Sequence, residues 1–148
     1  MAWFNPYGLV FIALILIPNI VFAIKCSDGF KNIWRNRVVE MLEQIGRYGC
    51  FATMIFNVPF TAFGFPSNEV FAIYLIVNTV LILIYCIMWI IFFRKNSVFR
   101  ALILSIIPSI VFLFSGIASR SILLTLASIV FAPSHIFISY KNVDDKIK

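Results

Sequence analysis

The chain has 148 residues, is 62% hydrophobic and only 12% charged, about half the charged fraction of a soluble globular domain. That composition excludes an ordinary soluble domain and an intrinsically disordered chain, and three cysteines make no disulfide framework. Twelve Lys and Arg against six Asp and Glu leave a net charge of +6, which reads as an address at a membrane surface and not as affinity for nucleic acid.

A helical span takes roughly 17–25 apolar residues. Five stretches qualify, at about 3–24, 48–65, 70–93, 98–116 and 121–140. The expected fold class is all-α: a polytopic five-span bundle forming one integral membrane domain over 1–148, with no room for a second, soluble domain. The runs are continuous, as in LILIYCIMWIIFF at 81–93, and lack the alternation of barrel strands. The first stretch has no basic residue ahead of it and no small-x-small cleavage site behind it, so it reads as a retained span. Pro18, Pro108 and Pro133 fall inside spans, where they are expected to bend helices or free carbonyls.

Between the first two spans the sequence predicts a cytoplasmic amphipathic helix over about 28–46, with Ser27 or Asp28 as its N-cap. Phe30, Ile33, Trp34, Val38, Met41, Leu42 and Ile45 recur at three- and four-residue steps, while Lys31, Arg35, Glu40 and Glu43 form a solvated, salt-bridged face. Trp34, Arg35, Arg37 and Arg47 suit the headgroup layer of an anionic inner leaflet, where each base is worth about 1 kcal/mol. Asp28, Gly29, Arg35 and Arg37 fall short of the metal-binding signature of CDP-alcohol phosphotransferases, because no Asp lies between Gly29 and Glu69.

Polar groups within spans are expected to face other helices. The second span carries a stripe of Gly46, Cys50, Thr53, Asn57, Thr61 and Gly64, and the third carries Tyr74, Asn78, Tyr85 and Trp89. In the fourth, Ser105, Ser109 and Gly116 line one side; in the fifth, Ser121, Thr125, Ser128 and His135 do the same. The short turn between them makes an antiparallel hairpin. The expected pairing sets Gly116 opposite Ser121, Phe112 opposite Thr125 and Ser109 opposite Ser128, with hydroxyl bonds across the interface. By depth, Asn57 should meet Asn78, and Asn19 should meet His135.

Lys and Arg set orientation. With the N-terminus outside and the C-terminus cytoplasmic, eleven of the twelve bases lie inside, and only Arg120 lies outside. The location expected is the cell (plasma) membrane, and the richness in Ile, Phe, Asn and Lys suits a bacterial source. No carboxylate is expected inside a span, so neither catalysis nor ion coupling finds its groups. His135 is expected first as a packed, structural imidazole and as the alternative a ligand or proton group, Asn19, Asn57, Asn78, Tyr74 and Tyr85 are candidate lining residues, and no metal or cofactor is expected. The function expected is binding, as an accessory subunit, an immunity-type protein or a sensor, with a membrane partner or a second copy. The alternatives are an oligomeric small-solute transporter, and a lipid enzyme using His135, Glu43, Arg47 and Tyr48 at the inner headgroup layer.

Overall fold

The computed structural model describes residues 3–26, 33–58, 61, 63–95 and 97–147, with 144–147 as backbone alone. It is all-helical, with α1 over Pro6–Lys25, α2 over Arg37–Ile55, α3 over Asn68–Ile91, α4 over Val98–Ala118 and α5 over Ile122–Ile147. Local chemistry starts each helix. Side-chain oxygens of Asn5, Asn36, Ser67 and Ser97 accept N–H groups of the first turns of α1 to α4, and Ser121 does so for α5. Pro18, Pro108 and Pro133 sit inside α1, α4 and α5 without ending them.

Four stretches are long and apolar enough to cross a membrane: α1, α3, α4 and residues 122–143 of α5. The second region differs from the sequence expectation. An amphipathic helix over 28–46 and a span over 48–65 are replaced by the single helix α2, which is not apolar enough to join those four. Residues 33–36 are not helical, and the expected cap at Ser27 or Asp28 lies outside the described residues. Asn36 caps the start instead. The chain turns extended at Phe56, where Phe4 and Phe56 form a bridge and Asn57 N–H donates to the Trp3 carbonyl at 2.8 Å.

The helices alternate in direction. At one end, Asn5 N–H reaches the Ile55 carbonyl at 2.7 Å and Gly64 N–H reaches the Ser119 carbonyl at 2.8 Å, gathering the start of α1, the end of α2 and the α4–α5 turn. At the other, the Asn142 side chain accepts from the Ile33 and Trp34 amides, and Trp34 packs edge-on against Phe137. This second end holds the bases Lys25, Arg35, Arg37, Arg94, Lys95, Arg100 and Lys141 and the acid Glu40 among the described residues, whereas the first holds Glu69 and Arg120.

Helix α5 packs most extensively, against α2 and α4. Two glycines allow the approach: a Cβ on Gly46 would lie 2.7 Å from the Phe131 backbone, and one on Gly116 2.8 Å from Thr125 N. The α4–α5 pairing is thus displaced by about one turn from the expected register, with Gly116 against Thr125 and the Phe112 ring 5.6 Å from Phe131. The turn explains the offset. Arg120 takes a left-handed conformation (φ 52°), its N–H bonds the Ile117 carbonyl, and Ser121 N–H bonds the Gly116 carbonyl at 2.9 Å, the double bond pattern of a Schellman C-cap.

Candidate functional site

Helix α2 has its faces reversed relative to a water-facing helix. Val38, Met41, Leu42 and Ile45 are exposed, while Glu43, Gly46, Cys50 and Met54 are buried. Glu43 was expected on a solvated face; it lies against α5. The small-residue stripe explains why, since stepping back three places from Gly46 along the same face reaches Glu43. A carboxylate at that position is carried inward by the helix packing that Gly46 allows.

There Glu43 meets His135 and Arg47. One carboxylate oxygen, Oε1, lies 3.0 Å from His135 Nδ1 and also accepts from Arg47 Nη2, one turn along α2. The Glu43 side chain is only 4% exposed, against 23% for His135 and 36% for Arg47. The acid is therefore sequestered, and both its partners keep access. A carboxylate beside a guanidinium accepts and does not donate, so the hydrogen of the His135 contact sits on Nδ1 and a neutral ring has its lone pair on Nε2. The ring stacks on Phe131 at 4.6 Å and 19°, one turn earlier in α5.

Depth gives these contacts their weight. His135 lies eight residues inside the apolar stretch ending at Val143, about 12 Å at 1.5 Å per residue. On the same count Glu43 is about 9 Å from the start of α2, and Asn19 and Tyr85 about 9 Å from the basic-end termini of α1 and α3. Asn19 Nδ2 donates to the Tyr85 hydroxyl at 2.8 Å and to the Ile15 carbonyl. Polar groups of α1, α2, α3 and α5 thus share one level of the bundle.

The expected pairs are rearranged. Asn19 bonds Tyr85 and not His135, and Asn78 donates to Ser115 Oγ at 3.0 Å instead of meeting Asn57. Tyr74 is buried, with its hydroxyl 3.5 Å from Asn5 Nδ2. The hydroxyls of Ser105, Ser109, Thr125 and Ser128 donate to carbonyls of their own helices, so this hairpin is held by close packing and not by the hydroxyl bonds expected across it. Arg35 and Arg37 are exposed, and Tyr48 is 65% exposed.

No protein-family model, curated protein or solved structure matches the chain. The site must be judged on its chemistry. Glu43 and His135 form a hydrogen-bonded acid–base dyad, with Arg47 balancing the buried carboxylate. The neighbouring hydroxyl of Ser134 donates to the Val130 carbonyl at 2.8 Å, so it is not aligned with the dyad as a nucleophile. Among the described residues no three His, Cys, Asp or Glu gather around a metal-sized site.

Proposed function

We propose that this is a multi-pass protein of a cell membrane that acts by binding and not by catalysis, as an accessory subunit, an immunity-type protein or a sensor. In this reading α2 is a fifth crossing, the N-terminus is outside, and the basic end faces the cytoplasm of a bacterium. The alternating helix directions support the fifth crossing, as do the apolar residues that α2 turns outward. The charge difference between the two ends supports the orientation.

One observation carries the binding reading: the dyad has no aligned nucleophile, and the Asn19, Asn78 and Glu43 side chains each bond another side chain of the bundle, although Asn78 Oδ1 and Trp89 Nε1 are buried without a partner. Little but apolar surface remains for outside contact, on α3 (Ile76, Leu83, Ile90) and α5 (Ile122, Leu126, Ile129). A photo-crosslinking residue at Ile76 or Leu126, tested in native membranes, should give one discrete protein adduct at one of these faces and none at the other. Lipid adducts alone at both, with phospholipid turnover by the purified protein in liposomes, would reject the proposal.

A second reading, proton-linked movement of a small solute, is favoured by the Glu43–His135 contact at the depth of the apolar stretch of α5. It requires proton flux into dye-loaded liposomes that falls to background in Glu43→Gln.

A further inference from the structure

The basic end holds a cation that finds no counter-ion among the described residues. Arg100 sits in the first turn of α4, three residues beyond its cap Ser97, and is only 9% exposed. Its guanidinium carbon lies 4.4 Å from the centre of the Phe22 ring and 5.2 Å from that of Trp89. Those rings themselves pack at 4.9 Å, closing the floor between α1 and α3. One N–H, from Nη1, bonds the Lys95 carbonyl at 2.9 Å.

Two features set Arg100 apart from an ordinary interfacial base. The ion pairs among the described residues both go to Glu43, so no described carboxylate answers this charge. Of its side-chain N–H groups the one on Nη1 is engaged, by the Lys95 carbonyl, and the residue keeps 9% of its surface exposed. At the same end of the bundle are Lys25, at the end of α1, and Arg94 and Lys95, in the α3–α4 turn, all exposed. Burying a guanidinium without an anion is unfavourable, and its planar fork matches two phosphate oxygens at once. Aromatic walls hold the fork in place before any ligand arrives.

We propose that Arg100 is the anchor of a phosphate site, with Lys25 and Lys95 at its rim, and that the phosphate belongs to an anionic phospholipid of the leaflet at the basic end. The helix ends stand at the level of the headgroups, and the N-terminus of α4 adds its positive dipole on the same side.

The test is native mass spectrometry of the full chain released from detergent micelles, titrated with phosphatidylglycerol or phosphatidylcholine. The wild type should retain one phosphatidylglycerol in preference to phosphatidylcholine. Arg100→Gln should weaken that retention about tenfold, while Arg35→Gln, an exposed base at the same end, should leave it unchanged. Equal retention by Arg100→Gln, or equal loss in Arg35→Gln, would overturn the proposal. Displacement of the lipid by millimolar inorganic phosphate would also overturn it, by assigning the site to the free ion. If Arg100→Gln does not fold, the exposed pair Lys25→Gln with Lys95→Gln decides: several-fold weaker retention supports the site, and unchanged retention refutes it.

Discussion

Replacing Glu43 with leucine removes the acceptor shared by His135 and Arg47. Arg47 is 36% exposed on its side chain, so its charge finds other solvation and contributes little to the loss. The His135 Nδ1–H is held against the vacated position, and an unsatisfied donor costs about 1–3 kcal/mol. Leucine recovers some apolar burial at a site only 3% exposed, so the net destabilisation should be about 2 kcal/mol. Glutamine keeps an oxygen facing Nδ1 and loses only the charge, and should cost about 1 kcal/mol. The decisive quantity is the coupling. A hydrogen bond to a charged group is worth about 1.5–3 kcal/mol in soluble proteins, whereas interhelical bonds in membranes average about 0.6 and reach about 1.7 kcal/mol. Because Glu43 is charged and sequestered, the coupling should lie near the upper membrane figure, about 1.5 kcal/mol. A double-mutant cycle of Glu43→Leu and His135→Phe, the latter preserving the stack on Phe131, measures it through unfolding in mixed micelles followed by tryptophan fluorescence. Additivity of the two changes within about 0.5 kcal/mol would show that the side chains do not interact and would remove the basis of the dyad.

Three further outcomes follow from the packing and the turns. Gly46→Ala should destabilise by about 1–3 kcal/mol through overpacking, because its Cβ would meet the Phe131 backbone at 2.7 Å; Gly49→Ala, facing only the Ala127 Cβ at 3.1 Å, should be close to neutral in the same melt. Arg120→Gly should stabilise by about 1 kcal/mol by relieving the left-handed conformation at φ 52°, and a lower midpoint would show that the arginine side chain outweighs its backbone strain. In a background without native thiols, Arg120→Cys should react with a membrane-impermeant maleimide on intact cells and Lys95→Cys only after permeabilisation. The reverse pattern would invert the proposed orientation.

Legibility differed from helix to helix. The helical regions of α1, α3, α4 and α5 are readable from continuous hydropathy, because a long apolar run needs no partner to declare itself. Helix α2 is not, because its apolar stripe and its charges read as those of a helix with water on one side. The signal in the sequence is the extended stripe Glu43–Gly46–Cys50, which puts the acid on the same face as the small residues. Arg100 likewise reads in the sequence as one base among several; nothing in the run Phe99–Arg100–Ala101 announces that Phe22 and Trp89 lie beneath its guanidinium.

By itself the sequence determines that the chain is helical and apolar, that the runs forming α1, α3, α4 and α5 are long enough to cross a membrane, and that the bases lie at alternate ends of them, while its fifth expected span, over 48–65, is not among those helices. These are properties of composition along one dimension. The tertiary structure alone decides that His135 bonds Glu43, 92 positions away, that Asn19 bonds Tyr85, and that the α4–α5 hairpin sits one turn from its simplest register. Depth in a bundle restricts which residues share a level, but several polar groups share each level here. The choice among them is made where glycines let two backbones approach, and by the left-handed turn at Arg120 that sets the offset of the last two helices.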